Sequence, residues 1–158
     1  MPIFTESRET LHYLAEKLRS WGYSVTVLHG GQDLDQRIAA EREFREATQV
    51  MLSTEAGGEG INLQFCSLMV NYDIPWNPNR LEQRMGRTHR YGQQKDVHIY
   101  NLVAVDTREG EVLYRLLEKL KEVRQALGVT GSLMSSAKSS KSGLSKTLSS
   151  TRLPIGEA

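Results

Sequence analysis

Gln49-Val50-Met51-Leu52-Ser53-Thr54-Glu55-Ala56-Gly57-Gly58-Glu59-Gly60-Ile61-Asn62-Leu63 decides how this chain is read. The stretch opens on a short apolar run, the pattern of a strand buried on both faces of a parallel sheet. It passes without a break into a loop holding Gly57, Gly58 and Gly60. In an open α/β sheet the ligand crevice lies beyond the carboxyl ends of the strands. Glycines there let backbone N–H groups approach an anion. Thr54 is suited to a phosphate through its hydroxyl and amide, and Asn62 to a sugar hydroxyl. The same glycines equally suit a plain connecting turn, so the neighbouring segments must decide.

Outward from this stretch, strand-like and helix-like segments alternate. Met1–Thr5 reads as the end of a strand, and the start inside a strand suggests a piece of a longer protein. Arg8–Trp21 carries Leu11, Leu14, Ala15, Leu18 and Trp21 at helical spacing and stops at Gly22. Ser24–His29 is a strand ending at Gly30-Gly31, and Asp33 caps a helix to Ala47. Ser67–Tyr72 and part of Asp96–Val105 are strands, Asn79–Arg87 is a helix after Pro78, and Arg108–Leu127 is a long helix. The alternation predicts an α/β fold, a mainly parallel sheet with helices on both faces. The domain is expected over residues 1–128. Residues 129–158 change character: Ser132–Thr151 holds nine serines and little apolar surface, which predicts a disordered tail or linker.

The 158 residues carry a net charge of +1, but the tail holds +3 of it and the body −2. Nucleic-acid binding by the body therefore needs a local patch. A single cysteine excludes an internal disulfide framework. His12, His29, His89 and His98 lack metal-ligand spacing, so no metal site is expected. No apolar run approaches the roughly 20 residues that span a bilayer, and no signal peptide is visible, so no membrane partner is expected and a soluble intracellular protein is the default.

Two further segments carry chemistry. In Gln83-Arg84-Met85-Gly86-Arg87-Thr88-His89-Arg90-Tyr91-Gly92-Gln93, Gln83, Arg87 and Arg90 share a helix face, as do Arg80, Arg84 and Arg87. Guanidinium groups gathered on one face repel unless an anion sits between them, and the Arg fork matches phosphate. A solvated basic face with surface ion pairs is the plainer alternative. In Asn71-Tyr72-Asp73-Ile74-Pro75-Trp76-Asn77-Pro78, two prolines stiffen the link into that helix. Trp76 is placed either to stack on nucleic acid or to pack over the sheet end. The chain has no G-x-x-x-x-G-K-[ST] loop, so it lacks the lysine that nucleoside triphosphate hydrolysis normally uses.

These segments, in this order, resemble the second RecA-like lobe of superfamily-two helicases, and most closely the Swi/Snf-type DNA translocases. The resemblance covers about residues 2–127. Ile3-Phe4-Thr5-Glu6 looks like motif IV and Leu28-His29-Gly30-Gly31 like the next loop. Ser53–Leu63 matches motif V, Asn71–Pro78 the link, and Gln83–Gln93 motif VI. Glu55 and Glu59 stand where many remodellers carry an arginine or an apolar residue. The resemblance implies ATP in a cleft between two lobes, with the P-loop lysine and the Mg²⁺ ligands on a first lobe of the same polypeptide. It implies Arg90 and Arg87 as arginine fingers, with Gln83 orienting them. Gly58, Glu59, Gly60 and Asn62 would lie near the nucleotide. Thr5, His29, Gly30, Ser53 and Thr54 would face the backbone of double-stranded DNA, with Trp76 nearby. It further implies a cytoplasmic, nucleoid-associated location in a prokaryote, and an isolated lobe that does not turn over ATP. The alternative is a stand-alone, non-enzymatic α/β module that binds nucleic acid or protein.

Overall fold

The computed structural model describes residues 1–88, 95–104, 107–108, 110–112, 114–115, 135–138 and 146–153. The chain runs β1 (Pro2–Thr5), α1 (Arg8–Ser20), β2 (Val25–Leu28), α2 (Leu34–Glu46), β3 (Val50–Thr54), α3 (Glu55–Gly58), β4 (Leu68–Asn71), α4 (Pro78–Thr88) and β5 (Val97–Ala104). Local signals set the helix limits. Ser7 caps α1, and Gly22, at φ +86°, ends the turn that follows it. Asp33 and Gln36 form a reciprocal capping box on α2.

The strands β2-β3-β1-β4-β5 lie side by side and all parallel. Their registers pair Thr5 with Thr54, Leu28 with Ser53, and Phe4 with Asn71. The carboxyl ends of β1, β2, β3 and β4 therefore form one row. Helices cover both faces, as the sequence predicts. On one face, Leu11 and Ala15 of α1 pack on Ile3, Val25, Val50 and Leu52. On the other, Ala40 and Phe44 of α2 and Leu81 and Met85 of α4 share a core with Phe4, Leu28, Met51, Met69 and Ile99. Cys66 joins that second core, and burial raises its thiol pKa, in keeping with a small buried hydrophobe. Trp21 does not join the helix's apolar stripe. It is exposed, because the helix ends one residue before it.

Beyond β5 the sheet continues into β7 (Lys146–Leu153) and β6 (Ser135–Lys138), both antiparallel to their neighbours. These strands come from the serine-rich segment, whose composition predicted no strand. The physical reason is the open edge of β5: its unpaired N–H and C=O groups are a template for any extended chain, whatever its side chains. Most of the helix expected over 108–127 lies outside the described residues.

Leu52 is fully buried at the middle of β3. Leu52→Ala is expected to cost about 2–5 kcal/mol, because transfer and cavity terms add at such a site. Chemical denaturation of the purified chain measures it.

Candidate functional site

The site is built on the row of strand ends. At the end of β3, Ser53 is buried and its hydroxyl donates to the Thr54 carbonyl at 2.8 Å. The next residues close into the single turn α3, a helix where the sequence suggested only a loop. Thr54 caps it, its Oγ1 accepting from the Gly57 N–H at 3.2 Å. Two glycines here are required by close approach. A Cβ on Gly57 would lie 2.5 Å from His29 Cα and 2.6 Å from the Leu28 carbonyl oxygen. A Cβ on Gly30 would lie 2.7 Å from Ala56 Cβ. The turns after β2 and β3 thus touch backbone to backbone, and no side chain fits between them. Gly60, at φ +81°, turns the chain out of the loop.

Arg37 of α2, which no sequence motif marked, ties this loop down. Its guanidinium donates to the carbonyls of Ala56 at 3.4 Å and Gly57 at 3.0 Å, and also to that of Glu59. Only the packing of α2 beside α3 reveals it. Asn62 is exposed, and its Oδ1 accepts from the Gln64 N–H.

The arginines of α4 take different roles. Arg84 is completely buried; its Nη1 donates to the Asp73 carbonyl at 2.9 Å and lies 3.5 Å from the Asp73 carboxylate. Its Nη2 lies 3.8 Å from Glu55 Oε2. Arg80 reaches the same Glu55 oxygen at 3.5 Å and Glu6 at 4.0 Å. For these two, protein carboxylates supply the counter-charge that the sequence reading assigned to a phosphate. Arg87 is buried beside the glycine turn, its Nη1 3.6 Å from where a Cβ on Gly58 would sit. Arg90 lies outside the described residues.

A cleft of about 680 Å³ opens over the strand ends. Of the residues expected at the site, Gly30, Thr54, Glu59, Gln83 and Arg87 line it. Glu6, Arg8, Gly31, Glu55, Ala56 and Arg80 complete the wall. Three guanidinium groups and three carboxylates face it, so its field is patterned rather than uniformly basic. Gly58, Gly60 and Asn62, also expected there, are not part of its lining. Thr5 and Ser53 sit beneath it: the Thr5 hydroxyl is buried and bound to Asp73 at 2.5 Å. Their side chains set the frame, and neither is free to meet a ligand. Trp76 is exposed in the loop before α4 and does not pack over the sheet.

His29 sits edge-on to His12, ring centroids 6.1 Å apart. Its Nδ1 accepts from the Gly31 N–H at 3.2 Å, which assigns the proton of the neutral ring to Nε2. Desolvation first, then the Arg8 guanidinium and His12, hold its pKa below the ordinary 6.5. A histidine kept neutral in the fold adds stability above its unfolded pKa, and that stability is lost as pH falls through the lower folded value. Melting temperatures of this chain between neutral and mildly acidic pH are expected to fall less steeply for His29→Asn, whose amide oxygen preserves the acceptor for Gly31. Gly57→Ala is expected to cost about 1–3 kcal/mol by forcing backbone apart, a loss readable in the same melts.

Comparison with known proteins agrees with this arrangement. Residues 1–92 match the family model described as "Helicase conserved C-terminal domain". The chain is similar to an uncharacterized ATP-dependent helicase, YqhH, of Bacillus subtilis, at 49% identity over 126 residues. That match covers 80% of this chain and 23% of the relative. It is also similar to the DNA repair and recombination protein RAD54B of Gallus gallus, at 38% identity, covering 70% of this chain and 12% of the relative. The chain thus spans under a quarter of the length of these relatives. Among solved structures it resembles the C-terminal part of the Fun30 ATPase domain, with a TM-score of 0.67 and 29% identity, covering 73% of this chain and 38% of that one. It also resembles the Escherichia coli DEAD-box protein SrmB, with a TM-score of 0.62 and 28% identity, covering 77% and 68%. The chain belongs to the helicase conserved C-terminal domain family, as the second RecA-like lobe of the Swi/Snf type.

Proposed function

We propose that this chain is the second motor lobe of an ATP-dependent protein that translocates on double-stranded DNA. The observation that carries the reading is the cleft, where the turn after β2, the turn after β3 and the arginine helix converge on Arg87. Residues 1–128 form the lobe in this reading, and 129–158 a connecting tail that in part pairs with β5. In a bacterial cell its place of work is the nucleoid.

The residues present suit a nucleotide's phosphates. Gly58 lets the glycine turn pack against Phe4 and Ser53, where a Cβ would lie 2.9 and 3.0 Å from their side chains, with the Arg87 guanidinium alongside. Arg87, with Arg90 further along the chain, would offer planar forks to phosphoryl oxygens. Gln83, on the cleft wall one turn before Arg87, would orient them. Gly58, Glu59, Gly60 and Asn62 would border the ribose and phosphates. Bound ATP would supply phosphoryl transfer, with its Mg²⁺ held by a first lobe of the same polypeptide.

The DNA backbone would run along the strand ends. Gly30 and Thr54 present themselves at the cleft, while Thr5, Ser53 and His29 hold those turns in shape. Contacts of this kind fix position and read no sequence. Trp76 stands exposed where it would lie against the duplex. Closing the two lobes brings Arg87 onto the nucleotide, and release reopens them.

ATP turnover of this chain and of a full-length parent, with and without duplex DNA, tests the reading. The lobe alone is expected to be inactive and the parent to be DNA-stimulated. Arg87→Ala in the parent is expected to lower turnover by about 10³-fold or more, as loss of an arginine finger does. Turnover by this chain alone, or a parent indifferent to DNA and to Arg87, would sink the proposal.

A further inference from the structure

We propose that Arg84, held by Asp73, is a positioning residue that transmits DNA contact at the strand ends to the arginine finger. The proposal rests on the motor reading above.

Four segments meet at this one pair. The Asp73 carboxylate accepts from the Thr5 hydroxyl and from the Glu6 N–H at 2.9 and 3.0 Å. Asp73 therefore carries the end of β1, where the backbone of DNA would lie. Arg84 joins Asp73 to α4, the helix that also holds Gln83 and Arg87. On its other side Arg84 faces Glu55, the first residue of the glycine turn.

The pair is not a settled structural ion pair. A guanidinium has five N–H donors. Arg84 is fully buried, yet among the described residues its Nε and Nη2 make no hydrogen bond, and neither does Glu55 Oε2. Its carboxylate partners stand at 3.5 and 3.8 Å, outside good hydrogen-bond range. Arg80 competes for the same Glu55 oxygen. This buried cation is anchored through Nη1 on the Asp73 carbonyl at 2.9 Å, while its remaining donors face Glu55 unbonded, so it follows Asp73 and can turn its open side toward Glu55. Displacing Thr5 and Glu6 moves Asp73, Arg84 then leans toward Glu55, and α4 turns with it. That is a two-position element which both the DNA side and the nucleotide side bias.

The test uses the full-length parent and reads ATP turnover at zero and saturating duplex DNA. Arg84→Met and Asp73→Asn are expected to leave DNA-free turnover within about twofold while DNA-stimulated turnover falls about ten- to a hundredfold, the scale of a small misplacement of catalytic groups. Arg84→Lys, which restores the cation without the fork, is expected to recover part of the stimulation. The double variant is expected to lose no more than the worse single, since the two residues act through each other. If Arg84→Met does not fold, Asp73→Asn and Arg84→Lys carry the same comparison. A parallel fall with and without DNA, or losses that multiply in the double variant, shows a merely structural role and overturns the proposal. If the wild-type parent is DNA-stimulated and dies with Arg87→Ala while Arg84→Met keeps its stimulation ratio, the coupling fails and the motor reading stands. A wild-type parent that ignores DNA overturns both.

Discussion

The structure depends on the parallel pairing of β1 between β3 and β4. Parallel neighbours place their carboxyl ends together, and the register sets Thr5 beside Thr54 and Phe4 beside Asn71. Every segment with chemistry leaves from that row. Parallel strands in turn need crossovers, and those crossovers bury both faces of the sheet under α1 on one side and α2 with α4 on the other. Core and site thus follow from one arrangement. The apolar middle of each strand makes the core, and its last residue opens the site.

At the row itself, backbone proximity and buried charge divide the work. The turn after β3 lies so close to the turn after β2 that Gly57 and Gly30 admit no Cβ without displacement. Arg37 reinforces that closeness by collecting the carbonyls of the loop. The arginine helix is held by Leu81 and Met85 in the core and by the buried Arg84 guanidinium, which donates to the Asp73 carbonyl at 2.9 Å and faces two carboxylates at longer range. One side of the site is therefore fixed by backbone proximity, and the other combines apolar packing with a buried charge.

Much of this was legible in the sequence, for local reasons. Gly22, the Asp33 cap and the Pro78 start marked helix limits, since capping and φ restriction act within a few residues. The five parallel strands were legible because a doubly buried strand must be apolar along its length, as Val50–Leu52 is. The converging glycine and arginine segments were legible because their order and spacing resemble a known lobe. What misled was composition used as a proxy for contacts. The serine-rich segment reads as unable to build a core, yet parts of it pair along β5, because pairing to an open edge asks only for backbone. Trp21 and Trp76 read as burial candidates, yet neither helix nor loop turns them inward.

The sequence by itself determined the fold class, the order of elements, and that glycines and arginines would gather beyond the strand ends. These follow from periodicity, caps and spacing, which are properties of neighbours along the chain. Only the tertiary structure decided what each charge does. Arg80, Arg84 and Arg87 are equivalent by spacing, yet Arg84 is buried against Asp73 and Glu55, Arg80 bridges two carboxylates, and Arg87 sits at the glycine turn. Arg37, outside every motif, and Asp73, given no role by the sequence, still hold the site together. The reason is that a charge takes its role from its partners, and these partners lie on other strands and helices, brought within a few ångströms only when the sheet closes.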